Sequence, residues 1–438
     1  MRSHLTVGFV AALTVLVGIG TRAAAVDAAV VWSSVNAGQN HSCGVLATGE
    51  GWCWGNNTVG ELGSGSTSAF GTATPQRVVD GHAWRTIDGG DDFSCGLDTA
   101  GAAWCWGSGW HGQLGNGVLG DSDPVTSPTK VVGGLTFAKL AAGNSGNLHA
   151  CALDPDGAAY CWGNNSYGQL GTGSTSVPFG SAAPLKVASG HAFTDIAVGR
   201  DSTCAIATDA AMWCWGDDEI GQLGDGAGAP GRVVPSPVLV AGGHRWRAVD
   251  VGDSHTCGVD VDGIAYCWGQ DSFGELGLGV ARASSNVPAA VATATRFVDI
   301  GVGTYDTCAI ASTGKPWCWG YAWYGTLGNG TKNDGDAHPV PAPAATSASL
   351  DGDVHGGYLH VCGLGSDDQA YCWGYGANGE IGSRPEFCQS PDGPVWCSSV
   401  PFLVSRPRRL RRAGADGGRP PRRRSRSAAV AAAPRPPR

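Results

Sequence analysis

From residue 31 onward, apolar and polar positions alternate in short segments that repeat in a fixed order. Each unit begins with a segment that starts on an aromatic residue and ends in glycine, as in Trp84 to Gly90 or Phe193 to Gly199. An aliphatic sits at its centre: Val35, Ile87, Leu140, Ile196, Val249, Ile300 and Val354. A second run leads into a cysteine, as in His41-Ser42-Cys43-Gly44-Val45. A tight turn follows, then Trp/Tyr-Cys-Trp-Gly, then a Gly-x-Leu-Gly turn such as Gly112-Gln113-Leu114-Gly115. A loop of variable length leads to a proline-containing segment such as Pro75 to Val79. These segments have strand length and are bounded by turn residues, so each unit reads as four short strands.

The Cys-Trp-Gly tripeptide recurs with its Trp at 54, 106, 162, 215, 268, 319 and 373, at spacings of 51 to 56 residues. A fixed period of this size marks a repeat architecture. Seven four-stranded units over residues 31–404 predict an all-β chain, a seven-bladed β-propeller with four antiparallel strands per blade. Unit seven lacks the leading aromatic and carries Gly379-Glu380-Ile381-Gly382 in its turn. Either register of ring closure is compatible with the count.

Each unit holds two cysteines ten residues apart: Cys43 and Cys53, Cys95 and Cys105, Cys151 and Cys161, Cys204 and Cys214, Cys257 and Cys267, Cys308 and Cys318, Cys362 and Cys372. If they flank a hairpin, its loop has three residues and wants a left-handed residue in third place. Glycine stands there in five units (Gly49, Gly101, Gly157, Gly263, Gly314), and Ala210 and Asp368 in the others. The paired cysteines then face each other as a non-hydrogen-bonded pair with Cα atoms about 4.5 Å apart, within disulfide range. Cys388 and Cys397 form an eighth pair that pins an insertion in unit seven. An 11-residue ring contributes ~3 kcal/mol or less, because the hairpin already closes it. The alternatives are paired thiols in a reducing compartment, or a metal site, which would need Cys-x-x-Cys knuckles that the chain lacks.

The amino terminus bears on the compartment. Arg2 precedes an uncharged, mostly apolar stretch from Leu5 to Gly20, and Ala23-Ala24-Ala25 offers a cleavage site, so residues 1–25 read as a signal peptide. An uncleaved anchor is the rival, but 16 residues with three glycines are short for a span. No membrane span is expected after cleavage, and the 16 cysteines suit an oxidising compartment, which places the chain as secreted or in the cell envelope. Charge divides sharply. Residues 405–438 hold 12 Arg and one Asp, leaving 16 basic and 36 acidic residues before them, a net of −20. The acidic body argues against nucleic acid as a partner. The Arg/Pro-rich tail should be disordered; it is either a polyanion-binding segment or a frame artefact of a GC-rich gene.

The order of Gly, His-Ser/Thr-Cys, Asp-Gly, Tyr/Trp-Cys-Trp-Gly, Gly-Gln-Leu-Gly and Pro-x-x-Val resembles the regulator-of-chromosome-condensation repeat, most fully from Cys151 to Gly173. The resemblance covers about residues 31–404 and implies the propeller fold. The family's founder is a nuclear guanine-nucleotide exchange factor for a small GTPase. The export signal, paired cysteines and acidic body depart from that setting and resemble an exported, bacterial-type branch, which includes a secreted enzyme inhibitor.

Catalytic chemistry is sparse. His41, His149, His255 and His360 stand two residues before the first cysteine of their units. A ring of metal ligands is one reading; a repeat residue making a local hydrogen bond is the other, since blades hold such positions apart. His82, His191 and His244 occupy a Gly-His-x-aromatic turn and invite the same two readings. Asp217, Asp218, Glu219 and Asp225, or Asp334 and Asp336, could offer oxygens to Ca²⁺ but match no calcium loop. No nucleophile elbow or phosphate loop is present. Most of the 17 Trp belong to the repeat frame; Trp110, Trp323 and Trp396 do not, and are the candidates for partner contact. The chain therefore reads as a binding or scaffold propeller, monomeric and without cofactor. It would engage a protein or glycan through the variable loops after each Gly-x-Leu-Gly. A regulator resembling an exchange factor, and an extracellular enzyme or enzyme inhibitor, are the alternatives.

Overall fold

Successive residues of a strand point to opposite faces, so the Cys and Trp of each Cys-Trp-Gly tripeptide must leave the sheet on opposite sides. The computed structural model describes residues 30–407, apart from 145, 147, 176–179, 282–283, 333–334 and 391–392. The expected leader at 1–25 and the tail beyond Pro407 lie outside the described residues. Seven antiparallel sheets follow one another along the chain: blades one (32–77), two (84–130), three (139–186), four (193–239), five (246–290), six (297–343) and seven (350–403). Strand order within each follows the sequence, and the first strands of neighbouring blades touch around the ring, blade one meeting blade seven. Among the described residues no strand is exchanged between the ends; both registers fitted the sequence, and each blade takes its strands from one contiguous segment. Blade seven adds a fifth strand, Glu386–Ser390, paired outside Gly393–Leu403 and joined to it by the bond of Cys388 to Cys397.

All eight expected cysteine pairs are disulfides. Across the blade hairpins Cys43 bonds to Cys53, Cys95 to Cys105, Cys151 to Cys161, Cys204 to Cys214, Cys257 to Cys267, Cys308 to Cys318 and Cys362 to Cys372. Partners face each other directly in the ladder, as Cys95 does Cys105, Cys204 does Cys214, Cys257 does Cys267 and Cys308 does Cys318. The Cα atoms of Cys43 and Cys53 stand 4.0 Å apart, and those of the other six blade pairs 4.1 Å. These separations are somewhat closer than the expected ~4.5 Å of a non-hydrogen-bonded pair. The three-residue loop closes behind them: Leu46 N–H donates to the Glu50 carbonyl, and Gly49 lies at φ 82°. Ala210 (φ 67°) and Asp368 (φ 58°) adopt the same left-handed conformation without glycine's freedom.

Each disulfide covers one face of its own blade, and the fully buried Trp of the next blade packs over it. Cys43 and Cys53 share a core with Trp106, Cys151 and Cys161 with Trp215, and Cys362 and Cys372 with Trp54. The Leu of Gly-x-Leu-Gly fills the same layer, as Leu62 does beneath Trp106. The second glycine of that motif is required by the same Trp. At Gly224, φ is +69° and a Cβ would lie 2.6 Å from Trp268 Nε1.

Polar groups complete the joint. Trp106 Nε1 donates to the Glu61 carbonyl (2.8 Å), and the corresponding Trp in every blade does the same to residue x of the preceding Gly-x-Leu-Gly. The ring closes with Trp54 on the Glu380 carbonyl at 2.8 Å. Where the residue before the first cysteine is Ser or Thr, its hydroxyl donates to that same carbonyl, as Ser94 does to Glu61 and Thr307 to Glu275. The hydroxyl proton is thus engaged, so the His of the preceding blade must donate to the hydroxyl oxygen through Nε2. His41 reaches Ser94, His149 reaches Thr203, His255 reaches Thr307 and His360 reaches Ser42, at 2.7 to 2.9 Å. The histidines therefore make hydrogen bonds, but between blades rather than locally. Burial lowers His41 to about 4 and His255 and His360 to about 3, which keeps them neutral.

The residue types covary in six of the seven joints, Ser202 opposite Thr256 being the exception. Phe93 replaces His where the next blade offers Ala150, and Asp306 replaces it where the next blade offers Val361. Asp306 is fully buried, neither carboxylate oxygen has a hydrogen-bond partner, and burial raises it well above the usual carboxylate range.

The joints can be probed by substitution. Trp162→Phe should cost about 2–3 kcal/mol, since Ala150 brings no hydroxyl to the Gln113 carbonyl; Trp215→Phe should cost only about 1, because Thr203 still donates to Gln169. Thermal unfolding of the two variants checks the difference, and equal losses would refute the shared-acceptor account. Asp306 binds a proton more tightly folded than unfolded, so it weakens the fold as pH rises above about 4. Asp306→Asn should therefore stabilise by about 1–3 kcal/mol at pH 7 and hardly at pH 3.5; melting curves at both pH values measure it.

Candidate functional site

Each first strand ends at a glycine, beyond which two or more residues turn into the second strand. These turns ring one mouth of the channel: Gln39-Asn40, Asp91-Asp92, Asn144 with Gly146 and Leu148, Arg200-Asp201, Asp253-Ser254, Thr304-Tyr305 and Tyr358-Leu359. The residue after each Cys-Trp-Gly rises to the same face, because its N–H donates to the turn, as Asn56 does to Asn40 and Tyr321 to Tyr305. The frame fixes these backbones and leaves their side chains free to differ.

They differ by sector. Over blades three to five the face is charged: Arg200 lies 3.4 Å from both Asp201 and Asp253, and Asp217 and Glu219 share the same depression. Over blades five to seven it is aromatic. Phe273, Tyr305, Tyr321, Trp323, Tyr358 and Tyr375 line a concavity of about 470 Å³, with Asn40 and Asn378 at its edge. Ring centroids stand 5.3 Å apart for Phe273–Tyr305, 6.1 Å for Tyr305–Tyr358 and 5.6 Å for Tyr321–Trp323. Tyr358 is 36% exposed. Burial raises Tyr375 to about 12, aided by the nearby Glu380 carboxyl, so its phenol stays protonated.

The channel itself is polar. Asn36, Asp88, Lys139, Asp195, Asp250, Asp299, Asp353 and His355 project from the first strands into a cavity of about 250 Å³. Several tie blade to blade: Asn36 accepts from Gly89 N–H, Asp88 from Ala142 N–H, Asp250 from Val302 N–H and Asp299 from Val354 N–H. Lys139 pairs with Asp195, and His355 donates to Asp353 at 2.7 Å. Burial raises Asp88 and Asp250 to about 6 and Asp299 to about 7. Burial alone would lower His355, but Asp353, Asp88 and Asp250 outweigh it and push the imidazole to about 10. Asn144 spans the mouth to donate to the Gly356 carbonyl at 2.7 Å.

Of the three Trp singled out by sequence, Trp323 lines the aromatic concavity. Trp110 is 56% exposed on the loop of blade two, and Trp396 stacks on Phe387 (4.0 Å) and under Arg384 in the blade-seven hairpin, so the three do not converge. The other aromatics were missed because they lie apart along the chain, outside the repeated aromatic positions; their signal is that positions 305, 321, 358 and 375 are aromatic only in units six and seven. Arg232 pairs with Asp218 and with Asp225 (2.5 Å), which gives these acids an ion-pairing role; Asp334 lies outside the described residues. His82, His191 and His244 lie against the ring before the second cysteine, as His191 stacks on Trp213 at 4.1 Å. Among the described residues no group of three or more His, Cys, Asp or Glu is placed to hold a metal, and no helix is long and apolar enough to cross a membrane.

Seven blades of this construction define a propeller class, and comparison with known proteins identifies which one. The profile of the regulator of chromosome condensation (RCC1) repeat matches residues 156–206, 209–259 and 262–310, and a second profile of the same repeat matches 32–61, 139–169, 193–222 and 246–275. The chain is 30% identical to the ultraviolet-B receptor UVR8 of Arabidopsis thaliana over 80% of its own length and 78% of that protein. It is 26% identical to the human E3 ubiquitin-protein ligase HERC2 over 75% of its own length, which is 7% of HERC2. The crystal structure of Prp20p from Saccharomyces cerevisiae, reported with its binding to Gsp1p and histones, superposes with a TM-score of 0.65 at 21% identity, covering 76% of this chain and 83% of Prp20p. The chain belongs to the RCC1 repeat family. These relatives do not bear out a bacterial-type branch.

The channel yields one expected outcome. His355 gains a proton affinity on folding, so its contribution is complete below about pH 6.5 and fades as pH rises toward 10. His355→Gln should lower stability at pH 6.5 by about 1–2 kcal/mol, less than a dry ion pair would lose, because 35% of the side chain faces channel water. The deficit should vanish near pH 10; melting at the two pH values decides it.

Proposed function

We propose that this chain is an exported or surface-associated, non-enzymatic propeller that binds a protein partner through its mouth face, centred on the aromatic concavity of blades five to seven. The concavity carries the proposal: seven aromatic side chains, the buried Tyr324 included, line one hollow of an otherwise acidic, polar face. Tyr, Trp and Phe are the residues that interfaces concentrate, because they bury large area at little entropic cost. The eight disulfides support an oxidising destination, as does the leader pattern at 1–25. Relatives support protein binding more than chemistry: UVR8 is named as a receptor, and Prp20p is described by its binding to Gsp1p and histones.

Capture from culture supernatant and envelope extracts tests this, using the full chain and a double variant, Tyr305→Ala with Tyr358→Ala. One stoichiometric extracellular protein is expected, with recovery at least about tenfold lower for the variant and unchanged for Val261→Ala in the three-residue hairpin of blade five, at the opposite end of the strands from the mouth. A partner indifferent to the mouth-face variant, or a GTPase released by nucleotide, would overturn it.

A further inference from the structure

The concavity has a geometry more specific than an apolar patch. Tyr305 stands at steep angles to its neighbours, 75° to Phe273, 74° to Tyr321 and 65° to Tyr358, while Tyr321 and Trp323 stack at 28° and together form a second wall. Such rings wall a box. A sugar ring stacks best on an open, flat aromatic face, and steeply inclined neighbours deny it that platform. A compact cation is different: several ring faces can surround it at once, each presenting its negative quadrupole.

Electrostatics points the same way. No Lys, Arg or His lines the concavity. Beyond the rim, Asp253 acts on Tyr305 and pairs with Arg200. The body carries a net charge of −20 before the Arg-rich tail. An anion would find no basic side chain among the residues that line the concavity, and a neutral alkyl group would forgo the orientation of the rings.

We infer that the aromatic concavity of blades five to seven is a cage for an alkylated ammonium group, with Tyr305, Tyr321, Trp323 and Tyr358 as its walls. This rests on the reading of the mouth face as the binding surface and adds the chemistry it selects. The ammonium group comes either from a free quaternary amine or from a methylated lysine of the protein partner.

Calorimetric titration of the full chain tests the cage with choline, with its neutral isostere 3,3-dimethyl-1-butanol, with a trimethyl-lysine peptide and with cellobiose. Choline or the peptide should bind at least ten times more tightly than the neutral alcohol, and the tighter of the two identifies the source. Tyr321→Phe should retain binding, and Tyr358→Ala, at an exposed position that leaves the blade core intact, should weaken it about tenfold or more. Equal binding of choline and the alcohol, preferential binding of cellobiose, binding unaffected by Tyr358→Ala, or no binding by either ammonium ligand would each overturn the cage. Should the cage fail while partner capture still depends on Tyr358, the protein interface stands without it; loss of both dependences removes the interface as well.

Discussion

A single backbone carbonyl per blade, that of residue x in Gly-x-Leu-Gly, is the point on which the ring depends. It receives the indole N–H of the next blade in all seven joints, and a hydroxyl as well where that blade has Ser or Thr before its first cysteine. In four joints a buried histidine extends the chain of donors. An unpaired carbonyl would be costly at this depth, and an indole N–H and, in five joints, a hydroxyl meet it. The same Trp packs on the preceding blade's disulfide, so polar and apolar parts of the joint share one registration. Closure is then the seventh instance of a repeated contact, with Trp54 meeting Glu380, and no strand need cross from one end of the chain to the other.

That frame explains why so many polar and titratable residues here are structural. The histidines that could have read as a metal ring are neutral donors between blades. The channel carboxylates accept backbone N–H groups from the next blade, while His355 and Lys139 offset their charge. Opposite trends in pH result: the buried histidines weaken the fold as they charge in acid, and the raised carboxylates weaken it as they ionise above about pH 4 to 7. Function falls to positions where the frame sets the backbone but not the side chain.

Blade number, strand order, the three-residue hairpins and the cysteine partners were all legible in the chain, because each is local: the pairs lie ten residues apart and the turns carry their own glycines. The histidine bonds were half legible. Their existence could be expected, but their partners lie 52 to 54 residues onward, or across closure from His360 to Ser42. The fifth strand of blade seven shows the same limit: Cys388 and Cys397 announced an insertion, and only pairing with Gly393–Leu403 made it an edge hairpin. The loops after Gly-x-Leu-Gly, where binding was expected, proved less distinctive than the mouth turns and the residue after each Cys-Trp-Gly.

The sequence by itself determined the repeat, and the repeat determined the propeller, because strand alternation and turn chemistry act within a few residues and were stated seven times. Only the tertiary structure assembled the aromatic concavity. Phe273, Tyr305, Tyr321, Trp323, Tyr358 and Tyr375 are scattered across more than a hundred residues and three units, and in each unit they look like isolated substitutions. Curvature of the ring brings equivalent positions of adjacent blades to one rim, and there they become a single concave surface. Adjacency around a ring is a property of closure, and no segment shorter than the whole circle contains it.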